Sequence, residues 1–196
     1  MEPPKKYKKE FSYSYALGPF PTFELLRHRP REVLAVYCRE DFRDREKLFA
    51  LCEKEGVPCA YGERTLERIA QKEICYAAGV FQKYEGALGK RAPHVALVCP
   101  SDMGNLGTIL RTLLGFGIGN LALVGGGADL WNPKVVRASM GALFQVNFQF
   151  FENFSQYLGE FGEGREIFPF MLDGAHPLTP ESCPSLGGRP YTLVFG

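Results

Sequence analysis

The sequence predicts an α/β protein whose second half is a parallel sheet. Short apolar runs alternate with amphipathic helical stretches along the whole chain. The strand candidates after residue 93 are separated by helices, as a parallel, doubly wound sheet requires. Glycine, charged residues and proline collect at 84–93 (YEGALGKRAP) and predict a boundary between the two halves.

Length and composition limit the class of protein. The chain has 196 residues and a hydrophobic content of 45%, enough for one large or two small domains with a substantial core. No apolar run approaches the roughly 20 residues of a membrane span, and the first residues lack the apolar core of a signal peptide. We therefore expect a globular, cytoplasmic protein with no membrane partner.

The cysteines are scattered and have no histidine partner at metal-ligand spacing, so we expect no metal. We interpret them as small core residues in a reducing compartment. They are Cys38, Cys52, Cys59, Cys75, Cys99 and Cys183.

Charge divides unevenly between the halves. Residues 1–92 hold 18 Lys+Arg and 14 Asp+Glu, a balance of +4, whereas residues 93–196 hold 5 and 8, a balance of −3. A polyanion is expected to meet the front half first. The terminal lysines have aromatic neighbours, which suits phosphate contact and base stacking, although a terminus favours the alternative of a solvated, mobile tail.

Helices and strands alternate in the front half and predict a small α/β sandwich. Thr22 is a candidate cap of the first helix, and Gly56 ends the second. The predicted helices are 21–28, 42–55 and 64–71, and the predicted strands are 33–38, 57–61 and 79–83.

The pattern of residues 95–117 predicts a strand, a loop and a helix. Five apolar residues recur at i, i+3, i+4, i+7 and i+8 and predict one buried helix face: Leu106, Ile109, Leu110, Leu113 and Leu114. Asn105 is a candidate N-cap. On the polar face, Gly107 and Gly115 lie four residues before and after Arg111, so Arg111 is predicted to project over open backbone. A capped helix start bared by glycine favours an anion. The alternative is a solvated arginine and a simple cap.

Further elements complete the predicted sheet. The remaining strands are 121–124, 144–151, 167–172 and 191–195, and the helices are 132–142 and 155–161. Pro133 suits a first helical turn, and Pro169 places its strand near an edge.

Two glycine-rich stretches do not carry a nucleotide site. The glycines of 115–119 close a helix instead of opening one, and 125–127 lacks the later spacing and the lysine of a P-loop. The sequence therefore lacks the glycine fingerprint that a nucleotide-dependent enzyme would show. His28, His94 and His176 form no hydrolytic pattern and are interpreted as structural or surface residues.

Three motifs together resemble the SpoU/TrmH family of RNA methyltransferases in the SPOUT superfamily. The first is N-x-G-x-x-x-R from Asn105 to Arg111. The second is the R-A-S-M-G run of 137–141 after Asn132, and the third is the closing L-V-F-G of 193–196. The resemblance covers 94–196, while 16–85 more loosely resembles the ribosomal-protein-like substrate-binding domain of that family.

The resemblance implies methyl transfer from S-adenosylmethionine to a ribose 2′-hydroxyl, with ribosomal RNA favoured over transfer RNA, by a homodimer with a C-terminal knot. It implies that Arg111 is the catalytic arginine and that Asn105 shapes the site beside it. The expected RNA contacts are Lys5, Lys6, Lys8, Lys9, Arg27 and Arg29. The expected donor contacts are Leu172, Asp173, Gly174 and Gly196.

The family's second motif would continue with a glutamate after Gly196, and its third motif, which builds the knot, is not in this sequence. We therefore expect a SPOUT-like (Rossmann-like) domain without its knot segment, catalytically incomplete as given. The alternative is a non-catalytic RNA-binding module. The expected organisation is a basic aromatic tail (1–15), an RNA-binding domain (16–85), a linker (86–93) and an incomplete methyltransferase domain (94–196).

Overall fold

The computed structural model describes residues 4–71, 73–172, 174, 177, 179 and 188–196, which contain two sheets and six α-helices. Contacts divide the chain into two compact units. The first unit comprises Met1–Tyr84, Met103–Thr112 and Asp129–Gln145, and the second comprises Glu85–Asp102, Leu113–Ala128 and Val146–Gly196. Each unit therefore combines segments from distant parts of the sequence. The linear domain division stays a prediction.

The sheet of the first unit has four strands. They are β1 (Tyr13–Leu17), β2 (Val33–Cys38), β3 (Cys59–Tyr61) and β4 (Ala77–Gln82). The strand order is β1-β4-β2-β3, with β4 antiparallel to both neighbours and β2 parallel to β3. The helices are α1 (Pro19–His28), α2 (Arg45–Glu55) and α3 (Glu63–Ala70), and Pro30–Glu32 is a 3-10 turn. This arrangement is the predicted α/β sandwich.

The sheet of the second unit has five strands, all parallel. They are β5 (His94–Val98), β6 (Asn120–Val124), β7 (Asn147–Phe151), β8 (Glu166–Phe170) and β9 (Tyr191–Phe195), in the order β7-β6-β5-β9-β8. The predicted parallel sheet is confirmed. Pro169 lies in the edge strand β8, as its missing N–H predicts.

Three helices accompany this half of the sequence. They are α4 (Met103–Gly115), α5 (Pro133–Ala138) and α6 (Phe154–Phe161), and Ala142–Phe144 is a 3-10 turn. Among the described residues, no helix combines the length and the apolar character that a membrane span requires.

Several local predictions are wrong. Strand β1 was not predicted, because its alternating tyrosines resemble the rest of the aromatic N-terminal stretch. Thr22 does not cap α1, because it is the fourth residue of the helix. Its side chain is buried, and its hydroxyl donates to the carbonyl of Gly18 at 2.8 Å. Helix α5 ends at Ala138 instead of 142, because Met140 (φ 48°) and Gly141 (φ 81°) are left-handed.

The cysteine interpretation is partly correct. Cys38, Cys52 and Cys75 are buried, whereas Cys59 is half-buried and Cys99 is exposed. These five thiols are free, and Cys183 lies outside the described residues.

Helices α4 and α5 approach so closely that Gly107 has no room for a side chain. A Cβ atom at this position would lie 2.5 Å from the Cβ of Ala138 and 3.0 Å from the backbone nitrogen of Ser139. Gly107 is therefore a packing residue, a role that was not predicted from the sequence, while Arg111 is exposed as predicted. The buried stripe of α4 is also narrower than predicted, because Leu114 is 37% exposed.

The edge strand β7 is paired by the segment that follows the first sheet. The amide of Phe150 donates to the carboxylate of Glu85 at 2.9 Å, and the amide of Gly86 donates to the carbonyl of Phe148 at 3.0 Å. These bonds satisfy some of the backbone N–H and C=O groups that an edge strand otherwise leaves unpaired.

A buried polar network closes the amino end of β5. The Nδ1 atom of His94 lies 2.9 Å from the Tyr157 hydroxyl, and its Nε2 atom lies 2.9 Å from the carbonyl of Gly89. Arg165 is only 7% exposed. Its guanidinium donates to the carbonyls of Lys90, Ala92, Phe161 and Tyr191. His94 is therefore a structural residue, as predicted.

The first prediction compares the two glycines that flank Arg111. The Gly107→Ala change forces its new methyl group into Ala138, so we expect a loss of about 1–3 kcal/mol in the free energy of unfolding. Gly115→Ala is the matched control, because no heavy atom lies within 4 Å of a Cβ there, and it should be neutral or slightly stabilising. Urea unfolding measures both. Equal effects would contradict the packing role.

The second prediction concerns the pH dependence of stability. Burial, with a smaller effect of the Arg165 charge, lowers the pKa of His94 from 6.5 to about 4. Between these two values the unfolded chain binds the proton and the folded chain does not, so stability falls as pH decreases through this window. Across this window, the titration of His94 lowers the free energy of unfolding by about 3 kcal/mol. His94→Gln should flatten this part of the stability profile in urea titrations, and an unchanged slope would exclude His94 as the cause.

Candidate active site

The residues of the first motif lie on one exposed ridge of α4. Asn105, Thr108 and Arg111 are exposed and three residues apart, which places them along one row of the helix surface. The rise of an α-helix separates Asn105 from Arg111 by about 9 Å along the axis. The hydroxyl of Thr108 donates to the carbonyl of Gly104 at 3.0 Å.

Asn105 is not the N-cap of this helix. Helix α4 begins at Met103, so Asn105 is its third residue. Only four residues separate the end of β5 from the start of the helix. This short connection carries the first motif directly from the central strand of the parallel sheet.

Most residues of the second motif stabilise the structure around α5. The side chain of Asn132 accepts from the amide of Lys134 at 3.0 Å and caps the helix. The buried Ser139 hydroxyl donates to the carbonyl of Val136 at 2.7 Å. Gly141 combines a positive φ with a close approach to α1, since a Cβ atom there would lie 2.6 Å from the Cβ of Glu24.

The arginine of this motif is also engaged by the protein. The Arg137 guanidinium forms an ion pair with Glu73, and both side chains are more than half exposed. The R-A-S-M-G run therefore supplies small residues where segments meet and one arginine at the surface.

Two loops meet at the carboxyl edge of the parallel sheet. The amide of Ala128 donates to the carbonyl of Pro100 at 2.6 Å. Gly127 has φ 118°, and a Cβ atom there would lie 2.3 Å from the same carbonyl oxygen, so only glycine fits. Cys99 adopts a positive φ of 50° in the first of these loops. Ligands of open parallel sheets bind at this edge.

The structural role of the glycine run 125–127 was not predicted. Gly125, Gly126 and Gly127 do not form a phosphate loop, yet all three have positive φ values and lie directly after β6. Three glycines after a buried strand were the available signal. The contact with Pro100 depends on tertiary structure.

The candidate donor residues follow two neighbouring strands at the same edge. Strands β8 and β9 are paired in parallel with Phe170 opposite Phe195, and the two rings stack with centroids 4.8 Å apart. Leu172 and Gly174 follow β8 and are exposed, and Gly196 follows β9. A Cβ atom on Gly196 would lie 3.3 Å from the Cβ of Val98. Asp173 lies outside the described residues.

This edge offers several groups that an adenosyl moiety would be able to contact. The positions offer glycine backbone, an exposed leucine and a stacked aromatic pair, so that polar main-chain groups lie beside apolar surface. The residues present therefore fit such a cofactor.

The basic candidates differ in how the protein engages them. Lys5, Lys6, Lys8 and Lys9 are exposed. Arg27 is exposed and pairs with Glu24 at 2.7 Å. Arg29 is half-buried: its Nε donates to the carbonyl of Phe144 at 3.0 Å, and its guanidinium lies 4.7 Å from the ring centroid of Tyr84. Its RNA contact stays a prediction, and the structure gives it a packing role.

Curated relatives match short parts of the chain. Mouse (Mus musculus) rRNA methyltransferase 3, mitochondrial, is 52% identical over 54 residues, which are 26% of this chain and 13% of that protein. The Xenopus laevis protein of the same name is 40% identical over 77 residues, 35% of this chain and 18% of that protein. The 23S rRNA (uridine(2479)-2'-O)-methyltransferase of Streptomyces viridochromogenes is 40% identical over 47 residues, 24% of this chain and 16% of that protein. These matches span less than a fifth of each relative.

Solved structures share the fold over nearly the whole chain. An rRNA methyltransferase from Sinorhizobium meliloti superposes with a TM-score of 0.74 and 22% identity, covering 95% of this chain and 72% of that one. The SpoU methyltransferase AviRb from Streptomyces viridochromogenes, in complex with AdoMet, gives a TM-score of 0.73 and 16% identity, covering 94% and 73%.

The profile of the SpoU rRNA Methylase family matches residues 92–196, more than half of the chain. This range includes the N-x-G-x-x-x-R helix, the R-A-S-M-G run and all five parallel strands. The resemblance to this family is therefore confirmed, and the chain belongs to the SpoU rRNA methylase family.

Proposed function

We propose that the protein is an S-adenosylmethionine-dependent RNA methyltransferase that modifies a ribose 2′-hydroxyl of ribosomal RNA. The observation that carries this proposal is the position of Arg111 and Asn105. They lie on an exposed ridge of the helix that directly follows the central strand of an all-parallel sheet. Support also comes from the Streptomyces viridochromogenes relative, whose name specifies 2'-O-methylation of 23S rRNA.

Support for the donor comes from the fold and from the carboxyl edge of the sheet. The neighbours from Sinorhizobium meliloti and Streptomyces viridochromogenes are each described with bound AdoMet. Leu172, Gly174 and Gly196 would hold the donor here, together with Asp173. When bound, the donor supplies a methyl group on a sulfonium centre.

The task of the protein follows from the chemistry of the acceptor. A neutral ribose hydroxyl is a weak nucleophile, so it must be held in line with the methyl group while its proton is lost. Arginine is not deprotonated in proteins, so Arg111 binds and orients the nucleotide through its guanidinium instead of acting as a base. A donor held by these residues would supply its methyl group to the 2′-oxygen and become a neutral thioether, and the hydroxyl proton would pass to the surrounding water.

The assembly and the location of the protein are proposed on the family resemblance and on composition. We propose a homodimer, as the family resemblance implies. We propose a cytoplasmic location, as the composition implies.

The third prediction tests the role of Arg111. In the protein expressed from its complete coding sequence, Arg111→Ala should lower the rate of methyl transfer at least about 100-fold, because the oriented cation is lost. RNA affinity should fall far less than the rate, because Arg111 is only one of the expected RNA contacts. Arg111→Lys keeps the charge without the planar fork and should restore only part of the activity.

Transfer of labelled methyl groups to ribosomal RNA measures activity, and filter retention measures binding. Arg64→Ala, on the exposed surface of α3, is the matched control and should behave as the wild type. Undiminished transfer by Arg111→Ala would refute its role. RNA retention without any transfer by the wild type would support the non-catalytic module instead.

A further inference from the structure

We propose that residues 4–11 form an ordered platform that binds the sugar-phosphate backbone of the RNA substrate. This inference rests on the proposed function, because it concerns how the same substrate is held. The feature that carries it is a lysine-rich segment held to the rest of the first unit through two backbone carbonyls and one side chain, so that its charges are presented in a set arrangement.

Three hydrogen bonds fix this segment. The Tyr15 hydroxyl, from β1, donates to the carbonyl of Lys5 at 2.5 Å. The Tyr7 hydroxyl donates to the carboxylate of Asp129 at 2.6 Å. The ammonium of Lys83 donates to the carbonyl of Lys9 at 2.7 Å. The segment is therefore held at its start, middle and end.

The anchor at Asp129 connects the segment to the part of the chain that the family profile covers. Asp129 lies three residues before Asn132, the cap of α5, and its other carboxylate oxygen accepts from the amide of Trp131 at 3.1 Å. Burial and the Asp129 carboxylate raise the pKa of Tyr7, so the phenol keeps the proton it donates. The lysine segment and Arg111 belong to the same compact unit.

The surface of the segment is strongly basic. Its four lysine side chains are exposed, whereas Pro4 is buried and Tyr7 is half-buried. Residues 4–11 contain four lysines and one glutamate, a net charge of +3. Beside them, the rings of Phe11 and Tyr13 stack with centroids 4.9 Å apart.

This combination fits single-stranded RNA or the loops of a folded RNA. Lysines that neutralise phosphates provide affinity that does not depend on sequence, and aromatic rings stack on unpaired bases. A fixed backbone lowers the entropy that a mobile tail would lose on binding. The ordered anchors therefore convert a basic terminus into a preorganised binding surface.

The fourth prediction tests the charges of the platform. The double variant Lys6→Glu/Lys8→Glu should weaken binding of a labelled, mixed-sequence RNA oligonucleotide at least about tenfold and reduce the slope of log affinity against log salt by about two. Lys47→Glu/Lys54→Glu on α2 is the matched control, since both lysines are exposed and the charge change is the same. It should change affinity less than about threefold. Equal losses in the two variants, or wild-type affinity in the first, would overturn the proposal.

The fifth prediction tests the ordering of the segment. Tyr7→Phe keeps every charge and the ring but removes the hydrogen bond to Asp129. We expect RNA affinity to fall about threefold with an unchanged salt slope, because preorganisation is lost and charge is not. Hydrogen exchange of residues 4–11 should become faster. Faster exchange with unchanged affinity would overturn the role of ordering.

Methyl transfer in the same preparations separates this inference from the proposed function. If the wild type methylates RNA and the Lys6→Glu/Lys8→Glu variant keeps its KM, the platform is wrong and the proposed function stands. If the wild type binds RNA through these lysines but transfers no methyl group to ribosomal RNA, the platform stands and the proposed function is wrong.

Discussion

The close approach of α4 to the end of α5 is the constraint on which the first motif depends. Gly107 lies in the middle of N-x-G-x-x-x-R, and its missing side chain lets the helix settle on Ala138 and Ser139 of the R-A-S-M-G run. The buried side of α4 is thereby fixed, and the ridge with Asn105 and Arg111 is left exposed. The glycine and the arginine of one motif thus have different tasks: the first sets the position of the helix, and the second offers the charge.

Other glycines in the region that matches the family profile (residues 92–196) also mark close contacts between segments. Gly141 meets α1 at Glu24, and Gly127 meets the carbonyl of Pro100, each with a positive φ and at a distance that disfavours a side chain. Small residues here define where segments touch, so that the polar groups of a motif are held by backbone contacts.

The compact units explain why the terminal segment matters to the family region. Tyr7 and Ser14 bond to Asp129 and to the carbonyl of Trp131, and the ring of Phe81 packs on both Trp131 and Phe144. Residues 129–145 therefore share a core with the N-terminal sheet. The basic N-terminal segment 4–11 and helix α5 lie more than 120 residues apart in sequence, yet they belong to one compact unit.

The sequence by itself determined the fold class, the parallel sheet, most element positions and the family, because these depend on the period of apolar residues and on motif spacing. It also singled out Arg111, whose exposure follows from its place opposite a leucine stripe. Only the tertiary structure decided what Gly107 does, where Asn105 lies in its helix, that Arg29 is engaged by Phe144 and Tyr84, and that the lysine segment is anchored. Each of these depends on a partner distant in sequence, and local pattern carries no information about which distant backbone a residue will meet.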